Sequence, residues 1–301
     1  MERIIVLLSS YNGQKYIREQ INSILNQKNV EVELIVRDDG STDGTLSILE
    51  DYKNKCINFS YYQGQNLGPA FSFLDLIKHA PDAAYYSLAD QDDIWDEDKL
   101  FSGIQMLKKK KGEVPLLYHC NTRVVNKDLE FIRNGKKDIR VKSKYSSLME
   151  NRATGCTMIF NVPAKELINS CDPTYVSMHD TWIYLIISFF GVVIYDIRPH
   201  MSYRQHGNNV IGASVSKTTH IKNKIKRILD FNKMPRYKLA QSFLAMYGNR
   251  LSVEEFSKVK KLVDYKKSLK GKMRLMVDQD FKSDSFARNV EYFLLTIFGN
   301  L

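Results

Sequence analysis

The sequence predicts an α/β fold, a mainly parallel central sheet flanked by helices, followed by a basic helical extension. Three observations point there. Short apolar runs alternate with helix-period segments through the first hundred residues, acidic clusters close two of those runs, and positive charge gathers only near the C-terminus. Strand–helix alternation implies right-handed crossovers and parallel pairing.

Residues 3–8 read as a strand covered on both faces, with an unbroken apolar run from Ile4 to Leu8 ending at Ser9-Ser10. Between Lys15 and Gln27, the residues Ile17, Ile21, Ile24 and Leu25 recur at helical spacing. Val32–Val36 reads as a second buried strand, closed by the turn-formers Asp38-Asp39-Gly40-Ser41. Ser41 or Thr42 suits the cap of a helix from about Gly44 to Tyr52. Phe59–Gln63, Ala70–Lys78 and Tyr85–Leu88 then read as strand, helix and strand, the last ending at Ala89-Asp90-Gln91-Asp92-Asp93. A further helix starts near Asp98, with Lys108–Lys111 at its exposed C-terminal end, where positive charge suits the dipole. Met158–Phe160 reads as a strand. The 14-residue apolar stretch Trp182–Tyr195 is interrupted by Ser188 and Gly191. It falls short of the roughly 20 residues of a membrane span, and reads as a buried helix to Gly191 followed by a strand, Val192–Tyr195. The N-terminal apolar run is too short for an export signal.

At 301 residues, 44% hydrophobic and 26% charged, the chain excludes disordered and fibrous classes. Cys56, Cys120, Cys156 and Cys171 lie far apart without a CxxC pair, which excludes a zinc module and predicts free thiols. The net charge of +10 is localised: residues 217–275 hold 17 basic and 4 acidic residues, whereas residues 1–216 hold 25 and 26. This places a boundary near residue 215, with a catalytic region 1–215 (halves 1–100 and 101–215) and a basic helical region 216–301. In the latter, Ile221, Ile225, Ile228 and Leu229 recur at helical spacing among Lys222, Lys224, Lys226 and Arg227. A second pattern joins Phe256, Val259, Leu262, Val263 and Tyr265 with Lys258, Lys260, Lys261, Lys266 and Lys267. Four readings stand: a solvated face, an anionic membrane surface, a cover on the catalytic region, or a homodimer contact.

Asp38-Asp39 and the group Asp90, Asp92, Asp93 each follow a strand, at the edge where open α/β sheets bind ligands. Unopposed carboxylates along one rim are destabilising. A divalent cation, best one carrying phosphates, is the natural counterpart, and oxygen ligands point to magnesium or manganese rather than zinc.

In order and spacing, five segments resemble an inverting family 2 glycosyltransferase of the GT-A type. They are Ser9–Gly13, Ser23–Gln27, Val36–Asp43, Asn66-Leu67-Gly68 and Ala89–Trp95, and the similarity spans roughly residues 3–210. A narrower similarity runs through Asp90–Trp95, His179-Asp180 and Tyr203–Val210, toward bacterial rhamnosyltransferases of capsular or rhamnose-rich cell-wall polysaccharide synthesis.

The resemblance implies roles. Asp39 accepts the imide N–H of uracil or thymine, Tyr11 and Ser9 line the base pocket, and Asp38 sits beside it. Asp92 is the metal-binding end of the Asp-x-Asp motif, with Asp90 on the ribose or the metal shell, and Mn2+ or Mg2+ neutralises the leaving diphosphate. Asp180 is the candidate general base, at the start of the helix carrying Trp182. His179 stands where an acid is more usual, and its role stays open. Gly155 allows close backbone approach near the sugar. Arg204 suits pyrophosphate, and His206 suits the metal shell. The implied partners are a dTDP- or UDP-sugar donor, a polysaccharide or lipid-linked acceptor, and an anionic membrane at the cytoplasmic face, with no nucleic acid. A Gln-x-x-Arg-Trp motif is absent, which favours single addition. Two rival readings are a sugar nucleotidyltransferase, disfavoured by the single glycine in Ser9–Gly13, and a polyanion-binding protein using the basic region.

Overall fold

The computed structural model of the chain describes residues 1–135, 143–206 and 235–301. The apolar N-terminal run forms β1 (Glu2–Ser10), in which Ile4 to Leu8 are fully buried. It pairs in parallel with β2 (Val30–Asp38), which pairs in parallel with β3 (Phe59–Gln63); on its other side β1 pairs in parallel with β4 (Tyr85–Ala89). The connections are α1 (Ile17–Leu25), α2 (Thr45–Lys55) and α3 (Gly68–His79). α1 buries Ile17, Ile21 and Ile24, the stripe its periodicity required.

Beyond β4 the pairing changes. The chain adds β5 (Ile94–Trp95), α4 (Lys99–Lys108), β6 (Leu116–Val125), β7 (Phe131–Asn134), β8 (Met158–Asn161), α5 (Val162–Asn169), α6 (His179–Phe190) and β9 (Val192–Arg204). The sheet order is β3-β2-β1-β4-β8-β6-β9-β5, with β7 on β6. β8 runs antiparallel to β4 and β6, whereas β6 and β9 are parallel. The sheet is therefore parallel through its first half and mixed through its second. α6 is buried almost all round, as its apolar run requires, and stops at Gly191. A Cβ there would lie 2.2 Å from the Pro115 carbonyl oxygen. β9 continues nine residues past the expected Tyr195, to Arg204, with register shifts opposite Cys120–Arg123. Its half-buried pattern has no clean period, which leaves that length without a sequence signal.

The chain divides into two compact units. Met1–Ile139, Ala153–Ser170 and Met178–Gly212 form one and contain the whole sheet; Arg140–Arg152, Cys171–Ser177 and Ala213–Leu301 form the other. The described helices of the second are α7 (Pro235–Tyr247), α8 (Val253–Asp264), α9 (Leu269–Val277) and α10 (Phe286–Phe298). Ser252 and Glu255 form a capping box on α8. Of the second pattern's apolar residues, Val259, Leu262 and Tyr265 are fully buried in this unit with Phe243 and Tyr247, whereas Phe256 is 37% exposed. Lys258 and Lys261 are also engaged, by Asp280 and by Asp278. The second basic pattern is thus a core-forming helix. The first, at 221–229, lies outside the described residues, as do Gly207–Val210 and the boundary near 215. All four cysteines are free thiols. Among the described residues no helix is long and apolar enough to cross a membrane.

Candidate active site

Parallel register brings three loops to one sheet edge. Ser10 lies opposite Asp38 and Leu8 opposite Ala89, so the segments after β1, β2 and β4 leave side by side at the carboxyl ends of their strands. Ser9, Tyr11, Asp38, Asp39, Asp90 and Asp92 all sit on or just beyond those ends.

Asp38 is buried and builds its own turn: its carboxylate accepts from Ser41 N–H at 2.8 Å, Ser41 Oγ at 2.6 Å and Ser10 Oγ at 3.1 Å. Asp39 is also buried and accepts from the backbone N–H of Leu67 at 3.0 Å and Gly68 at 2.9 Å. It is ion-paired as well with Arg37, whose Nε reaches Asp75 at 2.9 Å. This buried arginine, inside an apolar strand run, was not singled out from sequence; a cation in such a run is itself the signal, because it must have an acid beside it. Ser9 Oγ shares a 2.6 Å hydrogen bond with Ser72 Oγ. Tyr11 is 47% exposed, leaving its ring face available. Gln91, inside the acidic segment, holds the Tyr11 backbone on both sides, accepting its N–H at 2.9 Å and donating to its carbonyl at 3.0 Å.

The turn Asp90–Asp93 is clamped by the end of β9. β5 pairs with β9, Ile94 opposite Ser202, and Arg204 N–H donates to Asp93 Oδ1 at 3.0 Å. The Arg204 side chain is 3% exposed; it donates to the Asp92 carbonyl at 2.8 Å and the Lys127 carbonyl at 2.9 Å, and pairs with Glu19. Its guanidinium lies 4.5 Å from the Tyr16 ring centre. So placed, it braces the acidic turn. His206 Nε2 lies 2.8 Å from Asp92 Oδ2, and its ring stacks on Tyr16 at 4.8 Å.

Electrostatics mark the same place. Burial, then the neighbouring Asp92 and Asp180 carboxylates, push Asp90 up to about 7. Burial raises Asp92 as well, against the pull of His206. Asp93, fully buried beside both, stands well above the usual carboxylate range. Beneath them Lys99, at the start of α4, is fully buried with its Nζ 3.1 Å from the Trp95 ring centre. Desolvation brings it down to about 8.

Gly155 and Asp180 join from the other half of the sheet. Asp180 lies in the first turn of α6, where the helix dipole favours a carboxylate, and Thr181 Oγ1 donates to it at 3.3 Å. Its charge adds to the upward push on Asp90. His179 is 4% exposed and packs tilted against Phe73 with ring centres 3.9 Å apart, and neither ring nitrogen has a hydrogen-bond partner among the described residues. Burial holds it neutral, down to about 3. A Cβ on Gly155 would stand 2.4 Å from His179 Nε2.

Carboxylates that share one edge and resist ionisation fit a divalent cation. Asp90 and Asp92 offer carboxylate oxygens of the kind that suit Mg2+ or Mn2+, and His206 lies 2.8 Å from Asp92, but the ligand atoms of the three do not gather within 4.8 Å of one another. Asp90 also meets Asp93 and Cys156, their ligand atoms within 4.8 Å of one another. Burial pushes the Cys156 thiol well up, however, so it stays protonated and a poor ligand. Asp96, Asp98 and His200 gather elsewhere, but there Arg123 grips Asp96 and His200 lies between Asp98 and Asp196.

The chain is 29% identical to the dTDP-rhamnosyl transferase RfbG of Shigella flexneri, over 73% of its own length and 78% of that protein's. Among solved structures it resembles S. aureus TarS (residues 1–349) in complex with UDP-GlcNAc. The TM-score is 0.57 at 16% identity, covering 99% of this chain and 89% of that one. It also resembles the mannosyltransferase PcManGT of Pyrobaculum calidifontis in complex with GDP-Man and Mn2+, at a TM-score of 0.53 and 16% identity, over 99% of this chain and 87% of that one. At such identities these two establish the shared GT-A fold. The pattern of Glycosyl transferase family 2 matches residues 5–167, more than half of the sequence, and the chain belongs to that family of glycosyltransferases.

Proposed function

We propose that this glycosyltransferase moves a sugar, rhamnose or another hexose, from a dTDP- or UDP-sugar to a hydroxyl of a bacterial polysaccharide or lipid-linked oligosaccharide, with inversion at the anomeric carbon. The likeness to RfbG favours a dTDP-linked deoxyhexose donor. What supports this reading is that Asp38, Asp39, Asp90 and Asp92 follow adjacent parallel strands at one sheet edge, with His206 Nε2 2.8 Å from Asp92.

Asp90, Asp92 and His206 would hold Mn2+ or Mg2+, which when bound would supply Lewis-acid neutralisation of the departing diphosphate. Tyr11 offers its exposed ring to the base, and Ser9, Asp38 and Asp39 shape the pocket beside it. Arg37 fixes Asp39 in place, and Arg204 acts as a positioning residue, bracing Asp92 and Asp93 from beneath. Asp180 takes the proton of the acceptor hydroxyl as its oxygen attacks; the new C–O bond forms as the bond to the diphosphate oxygen breaks. Gly155 leaves the sugar pocket close to the backbone. The region from residue 1 to about 215 performs this chemistry, and the basic region from 216 onward attaches the enzyme to an anionic membrane at the cytoplasmic face.

A panel of nucleotide sugars with Mn2+ or Mg2+ and acceptor, scored by nucleoside diphosphate release, tests the reading. Asp180→Asn should lower kcat by about 10²- to 10⁴-fold while sparing donor binding, as loss of a general base does. Transfer retained at the wild-type rate would assign the base elsewhere.

A further inference from the structure

The second unit carries an apolar surface that the amphipathic reading of the sequence did not find. α10 has two apolar faces. Tyr292 and Leu295 are buried on one, while Phe286, Val290, Phe293 and Ile297 are 83%, 42%, 49% and 40% exposed on the other. The spacing of those four, three or four residues apart, sets them in one stripe along the helix. α9 repeats the pattern: Leu275 is buried, and Leu269, Met273 and Val277, four apart, are 75%, 56% and 69% exposed. The two helices are joined at one end, where Lys272 Nζ donates to the Ile297 carbonyl at 2.6 Å. Soluble surfaces scatter single apolar side chains, whereas seven in two stripes on linked helices mark an interaction face.

Charge decides what that face meets. α9 contains Lys270, Lys272 and Arg274 and no acid, within the stretch 217–275 that carries a net +13. Lys270 and Arg274 are exposed and have no acidic partner among the described residues. A symmetric contact with a second copy would set these cations against their own equivalents, because a two-fold interface meets itself. A bilayer with anionic headgroups is complementary to both features, taking the apolar side chains below the headgroups and the cations at their level.

We infer that the exposed face of α9 and α10 is a membrane-docking surface, seated in an anionic leaflet by Phe286, Phe293, Ile297, Leu269 and Met273 and held by Lys270 and Arg274. This rests on the membrane attachment proposed above and assigns it to side chains outside the basic helices read from the sequence.

The experiment is flotation of the full chain with phosphatidylglycerol-containing vesicles and with phosphatidylcholine vesicles. Wild type is compared with Phe293→Ser/Ile297→Ser and with Lys270→Glu/Arg274→Glu. Thermal unfolding and nucleoside diphosphate release on a soluble acceptor are run in parallel. The expected result is binding of wild type to anionic vesicles, reduced about ten-fold or more by either double variant, with melting temperature and soluble turnover unchanged. Wild-type flotation by the variants overturns this surface but leaves membrane attachment standing. Absence of flotation by wild type overturns the attachment itself, and the turnover assay then shows whether the transferase reading survives. A wild-type dimer that ignores vesicles and is dissociated by Phe293→Ser/Ile297→Ser assigns the face to a second copy and overturns the inference.

Discussion

Gly155 has room for a hydrogen and nothing larger: the 2.4 Å between its added Cβ and His179 Nε2 leaves no accommodation, because His179 is itself wedged on Phe73. Gly155→Ala should destabilise the fold by about 1–3 kcal/mol through overpacking. It should also lower transfer by an order of magnitude or more, read by thermal unfolding and by turnover. Wild-type values for both would show that the imidazole can move aside freely. Asp90 gives a pH prediction with a definite sign. Its folded pKa of about 7 lies above the ordinary 3.8, so the cation-free fold binds the extra proton and loses stability as pH rises between those values. A divalent cation favours the ionised form, so its stabilising effect must grow with pH. The rise in melting temperature on adding Mn2+ should be larger at pH 8 than at pH 5.5; an equal rise at both would remove Asp90 from the cation site.

At the scale of elements, β9 contributes most that the sequence concealed. Its last residues close the active site through Arg204, and the tie from Arg204 to Glu19 spans 185 positions. Arg204→Met should therefore weaken the cation rather than the sugar, raising the Mn2+ concentration for half-maximal turnover several-fold with little change in kcat at saturating metal. A raised donor KM at saturating metal would restore the direct pyrophosphate contact. The strands and helices up to Ala89 were legible because each is either uniformly apolar or periodic, and parallel register then follows from strand–helix alternation. The motif acids were legible for the same reason, since each stands immediately after such a strand. The roles of Arg37, Gln91, Lys99 and Tyr16 were not, because each depends on partners far away in sequence: Arg37 on Asp75, Gln91 on Tyr11, Lys99 on the acids above it, Tyr16 on His206. The antiparallel β8 was likewise hidden, since a short apolar run such as Met158–Phe160 says nothing of its direction.

Across the whole molecule, charge and apolar surface are separated between the two units. In the sheet-bearing unit, acids gather at one edge, where Asp90 and Asp93 feel the charge of Lys99 and Asp93 accepts from the Arg204 N–H. In the other, the basic helices spend part of their charge on internal partners such as Lys258 with Asp280, and the apolar stripes that remain exposed lie on α9 and α10. The sequence showed the excess of positive charge but not which face stays free, because a helix with two apolar stripes has no single period to read. What unites the chemistry is the acidic edge and its hold on a cation-bound diphosphate. Calorimetric titration of dTDP or UDP into the full chain, with Mn2+ or with chelator, measures that hold in wild type and in Asp92→Ala. The predicted result is cation-dependent binding in wild type, weakened about ten-fold or more in the variant; equal affinity in the variant and in the presence of chelator would contradict it.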